Sequence, residues 1–263
     1  ELKMRFPHVL TASFFLFLAC GGHALPINSA QAASEQTSLQ KADIEKIIHD
    51  YLLAKPEVLK EAIDELDKRQ KLAENATRQK AVLDNQEKLF RSPHQAVVGN
   101  PNGDVTLVEF FDYNCGYCKR ALASVAKLIE TDPKLRVVLK DFAILGTDSQ
   151  ETAQVATAAR MQLSPQKFWE FHQKLLSTKG HIGKAQALAV AKEVGADMGR
   201  LEDDLKKPET TAALQEVSLL AEALHFDGTP AWVLGQEAIV GGLPYAEIKA
   251  KLDNIRKCGK SEC

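Results

Sequence analysis

Two cysteines three positions apart, Cys115 and Cys118, are the residues of this sequence best suited to covalent chemistry. An apolar run rich in strand-forming residues precedes them at 105–111, and a helical pattern follows at 119–130. The pair therefore lies at the start of a helix, where unpaired N–H groups and partial positive charge stabilise a thiolate. We expect a lowered pKa at Cys115, which makes it a nucleophile toward disulfides. Cys118, on the same helical face, is the expected resolving thiol.

The same spacing also occurs in half of a zinc site, so a second pair of ligands has to be sought. After residue 32 the only other cysteines are Cys258 and Cys263, with four residues between them. This spacing is poor for zinc, and we predict no metal site. We expect these two cysteines to form a disulfide in a tail at 258–263, outside the catalytic cycle.

The elements around the cysteine pair predict an α/β (α+β) fold. The elements after the first helix are a strand at 135–142, helices between 147 and 225, strands at 231–234 and 238–240, and a closing helix at 244–257. The helical stretch at 147–225 is an all-α insertion, supported by Ser164 before a proline and by Gly195 after a helix. Since turn-forming residues precede the first strand, we place the catalytic domain at 97–257.

The first 32 residues have the pattern of an export signal. A basic start is followed by an apolar run of eleven residues at 9–19, which is too short for a membrane-spanning helix of about 20 residues. Small residues follow, so we predict a signal peptide at 1–32. A lipoprotein anchored through Cys20 and a buried N-terminal helix are the alternatives. An exported chain implies an oxidising compartment, and we expect the periplasm of a Gram-negative bacterium.

Residues 37–92 differ in composition from the rest of the chain. They are rich in charges of both signs, and apolar residues such as Ile44, Ile47 and Ile48 recur at helical spacing. Pro56 marks the first turn of a second helix. A helix with so many charged residues and only a narrow apolar stripe cannot form a compact hydrophobic core on its own. We therefore predict an oligomerisation stalk, with a solvated helical linker as the alternative.

Two segments carry a resemblance to a known family: VEFFDYNCGYCKR at 108–120 and GTPAWV at 228–233. Both are similar to the DsbA family of thiol–disulfide oxidoreductases. The helical N-terminal region resembles the stalk of the suppressor-of-copper-sensitivity C proteins, which belong to that family. The resemblance is strong over 97–257 and looser over 42–91. It implies a thioredoxin-like fold with an all-α insertion, preceded by a helical stalk, and a homo-oligomer that is a trimer.

The resemblance also implies roles for three residues outside the cysteine motif. Pro230 matches the family's cis-proline, which faces the cysteines and pairs with substrate backbone. Thr229 would then lie close to Cys115. Glu109 stands at the place of the family's buried acid, with a raised pKa and a role in proton transfer to Cys118. The alternative for Glu109 is an edge position that faces water.

The residues between the two cysteines bear on the direction of exchange. Gly116 and Tyr117, together with Thr229 and Pro230, form the expected substrate-binding set and resemble the bacterial disulfide isomerase DsbC more than the oxidase DsbA. A stalk that places several sites around one client also favours reshuffling. We predict disulfide isomerase or reductase activity through a redox-active disulfide with no other cofactor. The alternatives are DsbA-like dithiol oxidation and, in another class, Cu(I) binding for copper tolerance.

The expected partners follow from this chemistry and from the charge of the chain. They are exported client proteins with cysteines and a membrane redox partner. The chain has 33 basic and 35 acidic residues, for a net charge of -2. Because it lacks an excess of basic residues, we do not expect it to bind nucleic acid.

Overall fold

The computed structural model describes residues 40–263; the predicted signal peptide, Cys20 and the first residues of the predicted stalk lie outside them. The helices of the described part are α1 (Lys41–Ala54), α2 (Glu57–Asp84), α3 (Gln86–Phe90), α4 (Gly116–Thr131), α5 (Thr147–Arg160), α6 (Pro165–Ser177), α7 (Lys184–Glu193), α8 (Met198–Asp204), α9 (Pro208–Ala223) and α10 (Tyr245–Cys258). The strands are β1 (Ala96–Gly99), β2 (Val105–Phe111), β3 (Leu135–Asp141), β4 (Ala231–Leu234) and β5 (Glu237–Val240).

The chain divides after Pro56 into two units, and α1 belongs to the first. Its large apolar side chains Ile44, Ile47, Ile48 and Tyr51 recur at helical spacing and are all exposed. No residue of α1 is buried. Taken by itself, the helix therefore carries an exposed apolar face.

The second unit, Glu57–Cys263, is built on a five-stranded sheet with the order β1-β3-β2-β4-β5. Strands β2 and β3 run parallel, and all other neighbouring strands run antiparallel. A strand buried on both faces has a mostly apolar sequence, and in β2 every residue except Thr106 is buried. The motif at Cys115 follows the carboxyl end of this central strand, as the sequence predicts.

Side chains alternate along the strands and form a separate core on each face of the sheet. One face presents Leu107 and Phe111 of β2 to a core that includes residues of α4, α5, α6 and α10. The other face presents Val108 and Phe110 of β2 to a core with residues of α9, α2 and α3. Helix α4, which begins beside Cys115, is thus held on the first face by packing along its length.

Helix α2 changes character along its length. Leu59, Ile63 and Leu66, in its first half, are exposed. Val82 near its end is fully buried, and so is Leu89 of α3, and both pack in the core on the second face of the sheet. The charge pattern up to residue 91 predicts a segment without a share in the core. In the structure the end of this segment does share in the core, because α9 alone does not bury the apolar side chains on the second face of the sheet.

The all-α insertion is confirmed, with helices α5–α9 between β3 and β4. The start signal at Ser164 acts as expected, because its hydroxyl accepts a hydrogen bond from the Lys167 N–H. The structure adds a second cap that is not among the predicted start signals: Asp197 caps α8 by accepting from the Arg200 N–H. The sequence does not reveal β1 or α3. Each has only four or five residues, which is too short for a periodic pattern to be read.

Candidate active site

Cys115 occupies the N-cap position of α4, directly after the turn that leaves β2. Its carbonyl accepts the first helical hydrogen bond, from the Lys119 N–H at 3.0 Å. Its side chain is buried except for 6% of its surface, and its thiol is free. The helix N-terminus therefore surrounds the sulfur with backbone N–H groups that point along the helix axis.

The surroundings of Cys115 favour its charged form. They lower the pKa of Cys115 from its ordinary value of 9.0 to about 5. The largest cause is the hydrogen bond from the Cys118 thiol, and the Thr229 side chain and the N–H groups of Cys118 and Tyr117 act in the same direction. Burial acts in the opposite direction and is outweighed. Cys115 is therefore a thiolate at neutral pH.

Cys118 has the opposite character, although it lies only one helical turn away. It is fully buried in the first turn of α4. The hydrogen bond to Cys115 raises the pKa of Cys118 far above its ordinary value, and burial and the charge of Glu109 raise it further. The pair therefore combines a thiolate near the surface with a protonated thiol beneath it.

Glu109 is buried, with 1% of its surface exposed, so it does not occupy an edge position that faces water. It lies on central strand β2, opposite Trp232 of β4 and Leu139 of β3. Burial raises the pKa of Glu109 from 4.5 to about 8, and the charge of Cys115 raises it as well. Its Oε1 is buried and has no hydrogen-bond partner among the described residues. Such a carboxyl group can take up or release a proton near neutral pH.

The loop before β4 brings the second predicted segment to the cysteines. The peptide bond between Thr229 and Pro230 is cis. In its protonated form, the Cys115 thiol donates a hydrogen bond to the Thr229 carbonyl oxygen, 3.1 Å away. Pro230 is buried, and its carbonyl accepts a hydrogen bond from the Gly241 N–H at 2.8 Å. The structure thus places Thr229 against Cys115, as the resemblance implies.

Gly116 and Tyr117 form the exposed rim of the site. Gly116 is exposed, and Tyr117 has 62% of its surface exposed. The guanidinium group of Arg120 lies 4.2 Å from the centre of the Tyr117 ring, in a cation–π arrangement. The ring is therefore held beside the cysteines while one face stays open to solvent.

Three polar residues near the motif receive no role from the sequence alone. Asp112 directly follows β2 and is fully buried, and Asn114 directly precedes Cys115. Asp141 ends β3 with both carboxylate oxygens buried and unpartnered among the described residues. Burial and the charge of Asp112 raise the pKa of Asp141 well above its ordinary value. The sequence feature that could have identified the two acids is their position at the ends of apolar strands, because burying an acidic side chain is energetically unfavourable unless it has a role there.

The two remaining cysteines lie in the tail. Cys258 and Cys263 form the predicted disulfide, with a Cα–Cα distance of 6.3 Å. Residues 40–263 contain no group of three or more His, Cys, Asp or Glu side chains placed to hold a metal ion. Nor is any helix in that range long and apolar enough to cross a membrane.

Comparisons with protein families match both parts of the described chain. The DSBA-like thioredoxin domain matches residues 106–253, and the N-terminal domain of the copper resistance protein ScsC matches residues 40–73. The first match covers the site and most of the sheet, and the second covers α1 and the exposed half of α2.

Solved structures and curated proteins agree with this assignment. A thioredoxin-like oxidoreductase from Silicibacter pomeroyi is 40% identical, with a TM-score of 0.62 over 66% of this chain and 99% of that one. Proteus mirabilis ScsC in a transitional conformation is 26% identical, with a TM-score of 0.61 over 82% of this chain and 96% of that one. The thiol:disulfide interchange protein DsbA of Bordetella pertussis is 27% identical over 58% of this chain and 76% of that protein.

Part of the chain also matches a larger protein of another kind. A Na(+)/H(+) antiporter, NhaA 1 of Salinispora arenicola, is 30% identical over 135 residues. The chain spans only 20% of the length of that relative. The family match over residues 106–253, the thioredoxin-like sheet and the thiolate at Cys115 nevertheless agree with one another. This chain belongs to the DsbA-like thioredoxin-domain family of thiol–disulfide oxidoreductases, with an N-terminal region of the ScsC type.

Proposed function

We propose that this protein acts in the periplasm as a disulfide isomerase and reductase on exported proteins. The observation that carries the exchange chemistry, in either direction, is the placement of Cys115 at the N-cap of α4 with Cys118 buried one turn further along, which lowers the pKa of Cys115 to about 5 and strongly raises that of Cys118. In the reduced protein Cys115 is ready to attack a client disulfide, while Cys118 remains a thiol and does not compete for that client. Cys115, Cys118 and Glu109 are the proposed catalytic residues.

In the proposed exchange, the Cys115 thiolate attacks one sulfur of a client disulfide. A mixed disulfide forms, and the other client sulfur leaves as a thiolate. For isomerisation, that or another client thiolate attacks the mixed disulfide, which restores the Cys115 thiolate with no net transfer of electrons. For reduction, Cys118 attacks the Cys115 sulfur instead. The client then leaves with two electrons, and a Cys115–Cys118 disulfide remains.

Glu109 serves the reductive branch in this proposal. Cys118 must lose its proton before it can attack, and its raised pKa makes that loss unfavourable without a base. The carboxylate form of Glu109, whose pKa is about 8, accepts that proton, and the resulting carboxyl group can return it in the reverse step. The sheet geometry supports this pairing: Glu109 points to the same face as Leu107 and Phe111, and the core on that face contains Cys118.

Client recognition is proposed at the rim of the site. Thr229 contributes main-chain groups beside the Cys115 sulfur, where they can pair with an extended client segment. Pro230, whose carbonyl is taken by the Gly241 N–H, holds this loop in place. Gly116 leaves the approach to that sulfur free of side-chain bulk. Tyr117 offers an exposed aromatic face for apolar client side chains.

We propose that the stalk, residues 37–92, assembles three copies of the chain into a trimer. The support for this proposal is the row of exposed apolar side chains on α1 and separately on the first half of α2, such as Ile47 and Ile63. Ion pairs four residues apart, including Lys46–Asp50 and Lys60–Asp64, occupy other positions of these helices. Apolar stripes flanked by charged residues are typical of helices that pack against one another.

The experiment is refolding of scrambled ribonuclease by the reduced full-length protein, alongside oxidation of reduced ribonuclease by the disulfide form. Faster recovery from the scrambled substrate, with little oxidation, supports isomerase work. The reduction potential of the Cys115–Cys118 pair is measured on the same samples. Activity only in the oxidation assay would replace the proposal by the oxidase.

One observation favours that second candidate, a DsbA-like dithiol oxidase. A lowered pKa at Cys115 stabilises the reduced form of the pair, and a stabilised reduced form makes the disulfide form a stronger oxidant. A membrane redox partner would then reoxidise the pair in the oxidase, or reduce it in the isomerase. The measured reduction potential separates the two cases.

Cu(I) binding is a candidate of a different class. Cys115 and Cys118 offer two soft sulfur ligands one helical turn apart, and the match to the ScsC N-terminal domain links the chain to copper resistance proteins. Titration of the reduced protein with Cu(I) against a competing chelator measures this affinity. The Cys115→Ser/Cys118→Ser double variant is the control.

A further inference from the structure

Asp112 holds the turn that leads from β2 into the redox helix. Its side chain is fully buried, and its two carboxylate oxygens together accept four hydrogen bonds. The donors are the Asn114 N–H at 2.8 Å, the Ser149 hydroxyl at 2.8 Å, the Ile144 N–H at 3.0 Å and the Leu145 N–H at 3.0 Å. A carboxylate is the side chain that can accept on both oxygens without presenting a donor of its own.

The two oxygens of Asp112 serve different segments. Oδ1 accepts from Asn114, two residues further on, which forms a side-chain turn, while the Asp112 carbonyl accepts from the Cys115 N–H at 3.0 Å. These two bonds set the backbone that delivers Cys115 to the N-cap position of α4. Oδ2 accepts from two consecutive N–H groups in the loop after β3, at Ile144 and Leu145.

Asn114 extends this network into the helical insertion. Its Oδ1 accepts from the Ile182 N–H at 2.7 Å, and its Nδ2 donates to the Ile182 carbonyl at 2.9 Å. Nδ2 also donates to the Ser149 hydroxyl at 3.1 Å, and that hydroxyl in turn donates to Asp112. The cysteine turn, residues 112–115, is therefore hydrogen-bonded to the segment between β3 and α7 at both ends: at Ile144 and Leu145 after β3, and at Ile182 before α7.

The ion pairs within residues 40–263 do not include Asp112. Neutral donors alone compensate this buried carboxylate, so its contribution depends on their geometry rather than on a partner charge. Removing the Asp112 carboxylate would leave four donors without their acceptor, which is strongly destabilising. The turn that these hydrogen bonds hold contains the nucleophile Cys115. Burial at this place in the chain does not by itself call for an acidic residue, because the neighbours Phe111 and Tyr113 are buried and neither is acidic.

We propose that Asp112 is a positioning residue of the redox site, which fixes Cys115 at the start of α4 and thereby sets the reactivity of its sulfur. The proposal rests on thiol–disulfide exchange at Cys115 but not on its direction. Asn114 and Ser149 are members of the same network and act through Asp112.

The variant Asp112→Asn removes acceptor capacity and adds an NH2 group. Whichever way the amide is turned, that NH2 faces donors that the carboxylate accepted. The cysteine turn is expected to loosen, and the N–H groups of Tyr117 and Cys118 then point less directly at the sulfur. The pKa of Cys115 should rise from about 5 toward its ordinary value.

The test measures the alkylation rate of Cys115 against pH in the reduced full-length protein. At pH 4, below both midpoints, each unit of upward shift in pKa lowers the thiolate fraction about tenfold. With a shift of one unit, Asp112→Asn should therefore react about tenfold more slowly at pH 4, with its midpoint at higher pH. The matched control is Thr210→Val, which removes a buried hydrogen bond of 2.7 Å to the Asp204 carbonyl at the start of α9.

The control separates positioning from general loss of stability. Thr210→Val should lower the Tm while leaving the alkylation midpoint unchanged. If Asp112→Asn does not fold, Ser149→Ala removes one donor to Asp112 and one acceptor from Asn114 at lower cost, and should shift the midpoint in the same direction. A folded Asp112→Asn with an unchanged midpoint overturns the proposal, and so does an unchanged Ser149→Ala where Asp112→Asn fails to fold. Neither result depends on isomerase or oxidase activity.

Discussion

The sulfur of Cys115 lies 3.1 Å from the carbonyl oxygen of Thr229. When Cys115 is protonated, its thiol donates to this carbonyl, and that contact favours the thiol form. The pKa of Cys115 is lowered nevertheless, because the Cys118 thiol, the Thr229 side chain and backbone N–H groups favour the thiolate more strongly. The same geometry places the loop before β4 beside the atom where a client sulfur becomes attached.

The first prediction concerns the separate roles of the two cysteines. Cys115→Ser should abolish exchange, while Cys118→Ser should accumulate mixed disulfides with clients, because resolution needs the buried thiol. Non-reducing gels and mass spectrometry of the trapped species measure this. In the reduced protein, iodoacetamide should label Cys115 far faster than Cys118 at pH 7. Equal labelling rates would contradict the assignment.

The second prediction is a pH dependence of stability in the reduced protein. The pKa of Cys115 is about 5 in the folded chain and 9.0 ordinarily, so the unfolded chain binds more protons between these values. Stability from this group should rise with pH between about 5 and 9, be fully present above 9, and be lost as pH falls through 5. Urea unfolding of reduced wild type minus Cys115→Ser, at several pH values, isolates the effect. A difference that does not vary with pH would show that the thiolate is not stabilised by folding.

The third prediction concerns Glu109→Gln. The pKa of Glu109 is raised from 4.5 to about 8, so the folded chain binds more protons in that window, and its stability contribution is lost as pH rises through 8. Replacing Glu109 by Gln should therefore become more favourable to stability as pH rises from 4.5 to 8. Mixed disulfides should also resolve more slowly. Glu237→Gln, which alters an acid paired with Lys251, is the control and should leave resolution unchanged.

The fourth prediction concerns truncation of the stalk. Removing residues 40–72 deletes α1 and the exposed half of α2 but keeps Val82 and Leu89, so the catalytic unit should remain folded. The product should be monomeric, keep a reactive Cys115 and lose isomerase activity, because reshuffling gains from several sites held near one client. Light scattering and scrambled-ribonuclease refolding measure the two effects. Undiminished isomerisation by a monomer would leave the segment as a linker.

A longer truncation provides the control for this experiment. Removing residues 40–91 also removes Val82 and Leu89, both at 0% exposure in the core on the second face of the sheet. Loss of large buried side chains costs about 2–5 kcal/mol each, so this version should be clearly less stable than the shorter truncation. Equal stability of the two would mean that α2 and α3 contribute nothing to that core.

The fifth prediction concerns the tail disulfide. The double variant Cys258→Ser/Cys263→Ser should keep full exchange activity, because the tail pair takes no part in the proposed cycle. The disulfide closes a loop with a sequence separation of 5, so its removal should cost about 2 kcal/mol on the loop-entropy model. Thermal unfolding and the ribonuclease assay test the two statements. A loss of exchange with unchanged stability would instead give the pair a redox role.

The elements that could be predicted from the sequence are those with long or specific patterns. β2 and β4 begin and end at the predicted residues, and α6 begins at the proline after Ser164, because a mostly apolar run, a turn before the strand and a Ser-Pro start leave little ambiguity. The position of Cys115 at a helix start follows from the same logic. The placement of Thr229 beside it rests on family resemblance, since nothing in local sequence brings residues 114 positions apart together.

What could not be predicted depends on contacts between distant parts of the chain. Val82 looks like one of several apolar positions on a charged helix, and only the sheet face it covers makes it a core residue. Asp112 looks like a turn residue, and its importance comes from donors at Asn114, Ile144 and Ser149, which folding collects around it. Local patterns report propensity, whereas these roles are created by tertiary structure.

Because Val82 and Leu89 complete the core, a cut at residue 92, where the predicted stalk ends, would separate the sheet from part of its own core. A recombination event there would give the new host a sheet with one face partly uncovered. Exchange points that preserve the fold lie earlier, in the exposed half of α2, where any helix of matching phase could continue the chain. Natural fusions of this domain should therefore inherit the last turns of α2 and all of α3 along with the sheet.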